Sequence, residues 1–590
     1  MARITIDPVS RIGGQLRIDA DVVGGRVTGA WSSATMFRGM ETVLPGRDPR
    51  DVWLLAQRIC GTCNGVHATA SVRAVEQALG IRIPTNARLI RNVLTGTLFV
   101  RDHVMALYQG SLPDWVDMNA IAAADPVATS RLATASSPWP NSASSHFRDV
   151  RDRVAAVVAS QQPGPFASAW PGHPAYRLTP EQSLLLVAHM LEAFDWQAEF
   201  SRIQTLLSGK EAHPQTYLVG GMSLAPPWGG PTVSRTRQHP QVPDHNAPVA
   251  LSDEGIAMMR GLVVGARTFV DQVFAPDVSL LADAYPEWVA IGSGPGSYLA
   301  NGEFPLDDDR EAELLLPAGR LMDGNLQRSE PVSEAGVGET VVHAWYSYSN
   351  GDEALKRPFE GETDPNWTAE IPLVQLSDGA KYTWIKAARY DGQVMETGAL
   401  ARVLVAAANG QSEVRSALGR LLASRGIAPA GMTGALGRMI ARSVEAELLA
   451  LKLDAWLGEL DSNLATGDVT VANIELWDPA SWPDEAQGWS LGEGPRGSVG
   501  HWLGIKNAIV DHYQVVDGST WNASPRDALG LPGPIEAALV GLEVADPSQP
   551  VELLRVIHSF APCAACAAHV LEAQDAGWQP AGVQHAEANR

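Results

Sequence analysis

Cysteine is scarce, with four residues in a chain of 590, too few to staple a small disulfide-dense scaffold. Positive charge is short as well. Lys and Arg number 44 against 66 Asp and Glu, a formal net charge of −22, which repels phosphate backbones and excludes nucleic acid as a partner. Long apolar runs are missing. The longest, around Val403 to Ala408, falls well below the roughly 18 residues of a membrane-spanning helix. The start, Met1-Ala2-Arg3-Ile4-Thr5-Ile6-Asp7, has no apolar signal-peptide core, so no direct membrane span is expected. Internal repeats and low-complexity linkers are also missing. What is present, 45% hydrophobic residues, 19% charged and 18 Trp, describes a globular chain with much buried surface. At about 150 residues per domain its length allows roughly four domains or one large unit.

All four cysteines stand in two pairs, Cys60-Gly61-Thr62-Cys63 and Cys563-Ala564-Ala565-Cys566. This spacing puts two sulfurs on one turn, and four thiolates are the number that closes a tetrahedral metal site. A structural zinc ribbon would bring its pairs within roughly 15–20 residues, whereas these lie at opposite ends of the chain. A metal site assembled inside the finished fold is therefore favoured over structural zinc, and over a thioredoxin-like redox pair.

Residues 3 to 32 read as a β-hairpin region: Leu16 to Val22 alternates strictly, and Gly24-Gly25 makes the turn back to Val27 to Trp31. From Pro49 a helix starts, breaks near Gly61 and resumes through His67, Val72, Val75 and Leu79 to Gly80. Helical patterns recur at Asn86–Gln109, Pro180–Leu207, Ser252–Phe274, Glu413–Ser424 and Thr433–Leu464. Residues 212–248 and 280–375 read as ordered loops with short strands. A short helix at Pro550–Val556 leads to the second cysteine pair, with Pro562 fixing the backbone before Cys563.

The order of several short segments carries a resemblance. They are Asp7-Pro8-Val9-Ser10-Arg11-Ile12, Phe37-Arg38-Gly39-Met40-Glu41, Gly46-Arg47-Asp48-Pro49-Arg50-Asp51, and Arg58-Ile59-Cys60-Gly61-Thr62-Cys63 with His67. Arg101-Asp102-His103, Gly172-His173-Pro174, Pro495-Arg496-Gly497, His501-Trp502, Ser519-Thr520-Trp521-Asn522 and His558-Ser559-Phe560 follow. In this order they resemble the large subunit of the nickel-iron hydrogenases, the respiratory uptake branch in particular. The resemblance implies a helix-rich α+β fold with N-terminal strands (about 1–32), a long-helix core with loops (about 49–549), a metal-binding segment (about 550–569) and a maturation tail (570–590).

It also implies the chemistry. Soft thiolates suit nickel and iron, with Cys63 and Cys566 bridging and Cys60 and Cys563 terminal on nickel. One CO and two cyanides would complete the iron, so maturation proteins and a C-terminal endopeptidase are implied partners. H2 would be split heterolytically, the Cys563 thiolate accepting the proton and Arg496 giving electrostatic support, because arginine stays protonated. Asp102 would hold Arg496, His67 would donate to a bridging sulfur, and Glu41 with His569 would bind magnesium. Because one site consumes every cysteine, electrons must leave through an iron–sulfur small subunit. The resemblance places the pair at the periplasmic face of the cytoplasmic membrane, exported with that subunit; a cytoplasmic enzyme is the alternative.

Three positions depart from the family's pattern. Gly13 stands where the family carries a proton-gating glutamate, Ala561 where it carries an aspartate before Pro-Cys, and Ala388 where a proline precedes Arg-Tyr. A carboxylate replaced by glycine leaves a gap that ordered water or another acid must span, and slow proton exchange is expected otherwise. A slow-turnover hydrogen sensor, a quinone-module-like subunit and a non-catalytic metal scaffold are the alternative readings.

Overall fold

The computed structural model describes residues 2–567 apart from 163–165, 167–169, 225–249, 309–312, 369–375, 377–378 and 424. His569, the 570–590 tail, the Cys566 side chain and much of the 212–248 loop lie outside the described residues.

The N-terminal strands form an antiparallel sheet, β1 (Ala2–Ile6), β2 (Leu16–Val23) and β3 (Arg26–Ala34), in that order. The alternating residues Leu16, Ile18, Ala20 and Val22 put one face into the core. Helix α1 (Asn64–Leu79) and helix α2 (Thr85–Met105) follow. Helix α3 (Ala399–Ala408) packs on the long helix α4 (Ala435–Ala465), which itself packs along α2. The expected 180–207 helix breaks at Ser201 into Pro180–Phe200 and Arg202–Ser208, and the expected 252–274 helix ends in a π-turn at Val270–Phe274.

A second antiparallel sheet was not legible in the sequence: β4 (Glu485–Gly494), β5 (Gly497–Lys506) and β6 (Ile509–Val516). Its register pairs Gly494 with Gly497, so Pro495 and Arg496 form a two-residue hairpin tip. This tip presses on helix α5 (Gly518–Asn522). A Cβ on Gly497 would lie 2.6 Å from the Gly518 Cα, so only glycine permits the approach. Helix α6 (Val551–Ser559) then leads the chain back to the same place.

Candidate metal centre

Three distant segments converge on one buried point. Cys60 follows a 3-10 turn, and Cys63 occupies the N-cap of α1. The backbone N–H groups of Thr62 and Cys63 donate to the Cys60 Sγ at 3.3 and 3.0 Å, as suits a sulfur that carries charge near a helix N-terminus. Cys563 is paired to Gly13 as a parallel bridge, and its N–H donates to the Ser519 Oγ at 2.9 Å. The result is a Cys60 Sγ to Cys563 Sγ separation of 3.6 Å, with Cys60, Cys63 and Cys563 all buried. Two thiolates about 2.3 Å from one tetrahedral metal lie roughly 3.7 Å apart, so both the donor type and the spacing fit a shared metal.

Arg496 reaches across from the β4–β5 tip. Its Nη2 and Nε donate to Asp102 Oδ1 and Oδ2 on α2 at 2.9 and 3.2 Å, the bidentate geometry that arginine favours. Burial would raise the Asp102 carboxyl, but the Arg496 guanidinium holds it below the usual range. Burial would equally weaken the charge of Arg496, and Asp102 with Cys563 drives its pKa far up instead. Arg496 is thus a fixed cation, as its expected supporting role requires.

The tip is anchored from behind. Arg402 on α3 donates to the carbonyls of Gly494 and Pro495 at 2.8 and 3.3 Å and to Glu445 and Glu493. Glu445 also bonds His103 at 2.8 Å, the residue after Asp102. Arg402 and Glu445 therefore tie both partners of the Arg496–Asp102 pair to one buried network.

His67 stands one turn into α1 and is fully buried; burial pushes its imidazole down to about 4, Cys60 opposing and Arg38 assisting. Its Nδ1 lies 3.0 Å from His501 Nε2, His501 Nδ1 lies 2.7 Å from Tyr513 Oη, and Tyr513 donates to Ser71 at 3.0 Å. In that order of donors the neutral His67 keeps its proton on Nδ1, and reversing the chain would move it to Nε2.

The sequence reading missed Asp517. Its Oδ1 accepts the N–H groups of Ser519 and Thr520 at 2.7 and 2.9 Å. Its Oδ2 is buried without a hydrogen-bond partner among the described residues, beside a small cavity shared with Cys63, His67, Arg496 and Cys563. Burial pushes its carboxyl up to about 7. A helix-capping aspartate carries no motif, so only its unspent oxygen marks it.

Two of the departures, Gly13 and Ala561, border a second and larger cavity beside the site. A Cβ on Gly13 would lie 2.7 Å from Cys563 Sγ and 3.7 Å from Arg496 Nη1. Ala561 takes a left-handed conformation, φ 50°, which aspartate tolerates better than alanine. The third, Ala388, lies on the short strand Ala387–Tyr390, and the following Arg389 is clamped by Asp527 at 2.8 Å.

Glu41 lies apart from the cysteines. Its Oε1 accepts the Val515 N–H and its Oε2 the Lys386 Nζ, each at 3.0 Å. Lys386 donates to Gln514 at 2.8 Å and stands 3.7 Å from Glu339, whose carboxyl burial pushes up to about 7. These oxygens are of the type magnesium prefers, with Lys386 balancing their charge. Among the described residues no group of three or more His, Cys, Asp or Glu forms a metal-ligating cluster, and His569 and the Cys566 side chain are outside them.

Comparison with known proteins gives the family and the fold. The family model for nickel-dependent hydrogenase matches residues 38–569. The uptake hydrogenase large subunit of Bradyrhizobium diazoefficiens is 40% identical over 96% of this chain and 95% of its own. The hydrogenase-1 large chain of Escherichia coli K12 is 39% identical with the same coverage. The solved Ni-Fe-Se hydrogenase of D. vulgaris Hildenborough in the reduced state superposes with a TM-score of 0.74 at 29% identity, covering 96% of this chain and 100% of that one. With Cys60, Cys63 and Cys563 buried at one site and residues 38–569 matched by the family model, the chain belongs to the nickel-dependent hydrogenase family.

Proposed function

We propose that the chain is the catalytic large subunit of an uptake hydrogenase, oxidising H2 to protons and electrons and passing the electrons to an iron–sulfur small subunit. The observation that carries this reading is the 3.6 Å approach of Cys60 to Cys563 in a chain matched to the nickel-dependent family from 38 to 569. Cys60, Cys63, Cys563 and Cys566 would hold nickel and iron, and that centre, with one CO and two cyanides on its iron, would supply the polarisation that splits H2.

The chain's own residues do the rest. Cys563 accepts the proton. Arg496, a permanent cation locked on Asp102, stabilises charge beside it without taking part in proton exchange. His67 backs a bridging sulfur once the Tyr513 hydroxyl turns to donate towards His501. Glu41 and His569 would hold magnesium. Maturation proteins, an endopeptidase acting after His569, and residence with the small subunit at the periplasmic face of the cytoplasmic membrane complete the reading, a cytoplasmic enzyme being the alternative. No described helix is long and apolar enough to cross a membrane.

The test is H2-dependent reduction of an artificial dye by the matured heterodimer. Reduction should be present in the native protein and abolished in Cys563→Ser. The missing side chain at Gly13 favours a second reading, a slow hydrogen sensor. Turnover persistently far below that of an uptake enzyme, with a normal metal centre, selects it.

A further inference from the structure

A cavity of about 600 Å³ opens beside the metal centre, far more than the roughly 10–15 Å³ that one water needs. Gly13, Arg101, Asp102, Glu211, Arg496 and Ala561 are on its wall. Both positions that lack an acid therefore border it. Arg496 also borders the smaller cavity that holds Cys63 and Cys563, and the empty Cβ position of Gly13 lies against the Cys563 sulfur. The sulfur end of the site is thus separated from the cavity by no side chain at position 13.

The titratable groups on the wall are not equivalent. Asp102 spends both oxygens on Arg496. His558 spends both ring nitrogens, on Asp114 at 2.6 Å and on the Ser10 carbonyl at 2.9 Å. Glu211 is ion-paired to Arg101 through Oε1 and accepts the Gln204 side-chain amide on Oε2, so it differs from the others in its exposure, its side chain being 22% exposed. Among the described lining residues Glu211 alone joins a carboxylate on the cavity to solvent.

We propose that Glu211 carries protons between the Cys563–Arg496 end of this cavity and solvent, across a file of cavity waters, in place of a side chain at Gly13. The proposal rests on the hydrogenase reading. Each H2 yields two protons and two electrons, the electrons leaving to the iron–sulfur partner. A proton leaving the Arg496 end of the cavity passes to the nearest water, successive waters relay it, the Glu211 carboxylate takes it, and bulk water removes it. The carboxylate is restored, and no other bond changes in the relay. Arg101 fixes the position of the acceptor.

The test is isotope exchange by the matured heterodimer, with D2 in H2O followed as HD and H2 by mass spectrometry. Glu211→Gln should slow exchange by at least about tenfold, general acid–base groups typically contributing roughly 10²–10⁴-fold. Nickel and iron content and the infrared bands of the centre should stay native. Glu211→Asp should retain exchange, and added formate should restore it in Glu211→Gln, which a merely structural glutamate would not allow. Ala198→Phe, at an exposed position on the cavity rim, should slow exchange by filling the space, without rescue by formate. Native-speed exchange in Glu211→Gln, or loss that neither Asp nor formate recovers, overturns the relay while the hydrogenase reading stands. A native protein that holds its metals but exchanges no D2 overturns the hydrogenase reading itself.

Discussion

Gly13 and Cys563 are backbone-paired, and a Cβ on Gly13 would stand 2.7 Å from the Cys563 Sγ, inside the normal contact distance of the two atoms. Gly13→Ala must therefore push the sulfur aside. The expected outcome is reduced nickel occupancy after maturation with an unchanged circular-dichroism spectrum. Gly13→Glu should suffer the same displacement and exchange protons no faster than the native protein. Elemental analysis per subunit checks the first, D2 exchange the second; full occupancy in Gly13→Ala contradicts the close approach.

Arg402 faces two buried carboxylates and two carbonyls at once. Arg402→Gln leaves Glu445 and Glu493 without their counter-charge, a loss worth about 3–5 kcal/mol for a broken buried pair. The thermal unfolding midpoint should fall, and turnover should fall with it because the Arg496 tip loses its anchor. Arg402→Lys should recover little, since a point-like ammonium cannot span the fork. A lysine variant with native midpoint and native turnover would show that the network does not position Arg496.

Glu445 gives the sign of one pH effect. Burial would raise its carboxyl, but Arg402 and then His103 hold it down to about 2, against an ordinary 4.5. Between these values the folded state binds fewer protons than the unfolded one. This contribution is fully present above pH 4.5 and is lost as pH falls towards 2, about 3 kcal/mol in all at 1.36 kcal/mol per unit. Thermal midpoints measured from pH 6 downwards should drop more steeply in native protein than in Glu445→Gln; parallel slopes count against it.

Much of this was legible in the sequence, for local reasons. The cysteine pairs announced themselves because three-residue spacing needs no tertiary knowledge, and α2 and α4 because their apolar positions repeat at the helical period. The sheet from Glu485 to Val516 was hidden by its glycines, Gly488, Gly492, Gly494, Gly497, Gly500 and Gly504, and by a β5 buried almost throughout, which removes the alternation that marks a strand. Arg402, Glu445 and Glu493 were invisible because their ion pairs join residues 43 and 91 apart. Glu211 and Asp517 look like ordinary acids until the fold sets one on a cavity and leaves the other with an unspent oxygen.

Processing leaves a mass signature. The tail from Val570 to Arg590 follows directly on His569, and its removal would free the carboxylate that lets the last turn settle beside Glu41. The intact mass of the large subunit in active protein should correspond to a chain ending at His569. An active heterodimer whose large subunit ends at Arg590 contradicts the maturation reading.

The centre itself is tested most directly by combining elemental analysis with infrared spectroscopy on the matured heterodimer and on each of Cys60→Ser, Cys63→Ser, Cys563→Ser and Cys566→Ser. The account predicts about one nickel and one iron in the large subunit, as two bridging and two terminal thiolates accommodate. CO and cyanide stretching bands should be present in the native protein, and nickel should be lost in all four variants. Stoichiometric zinc without those bands, or nickel retained in every variant, would contradict it.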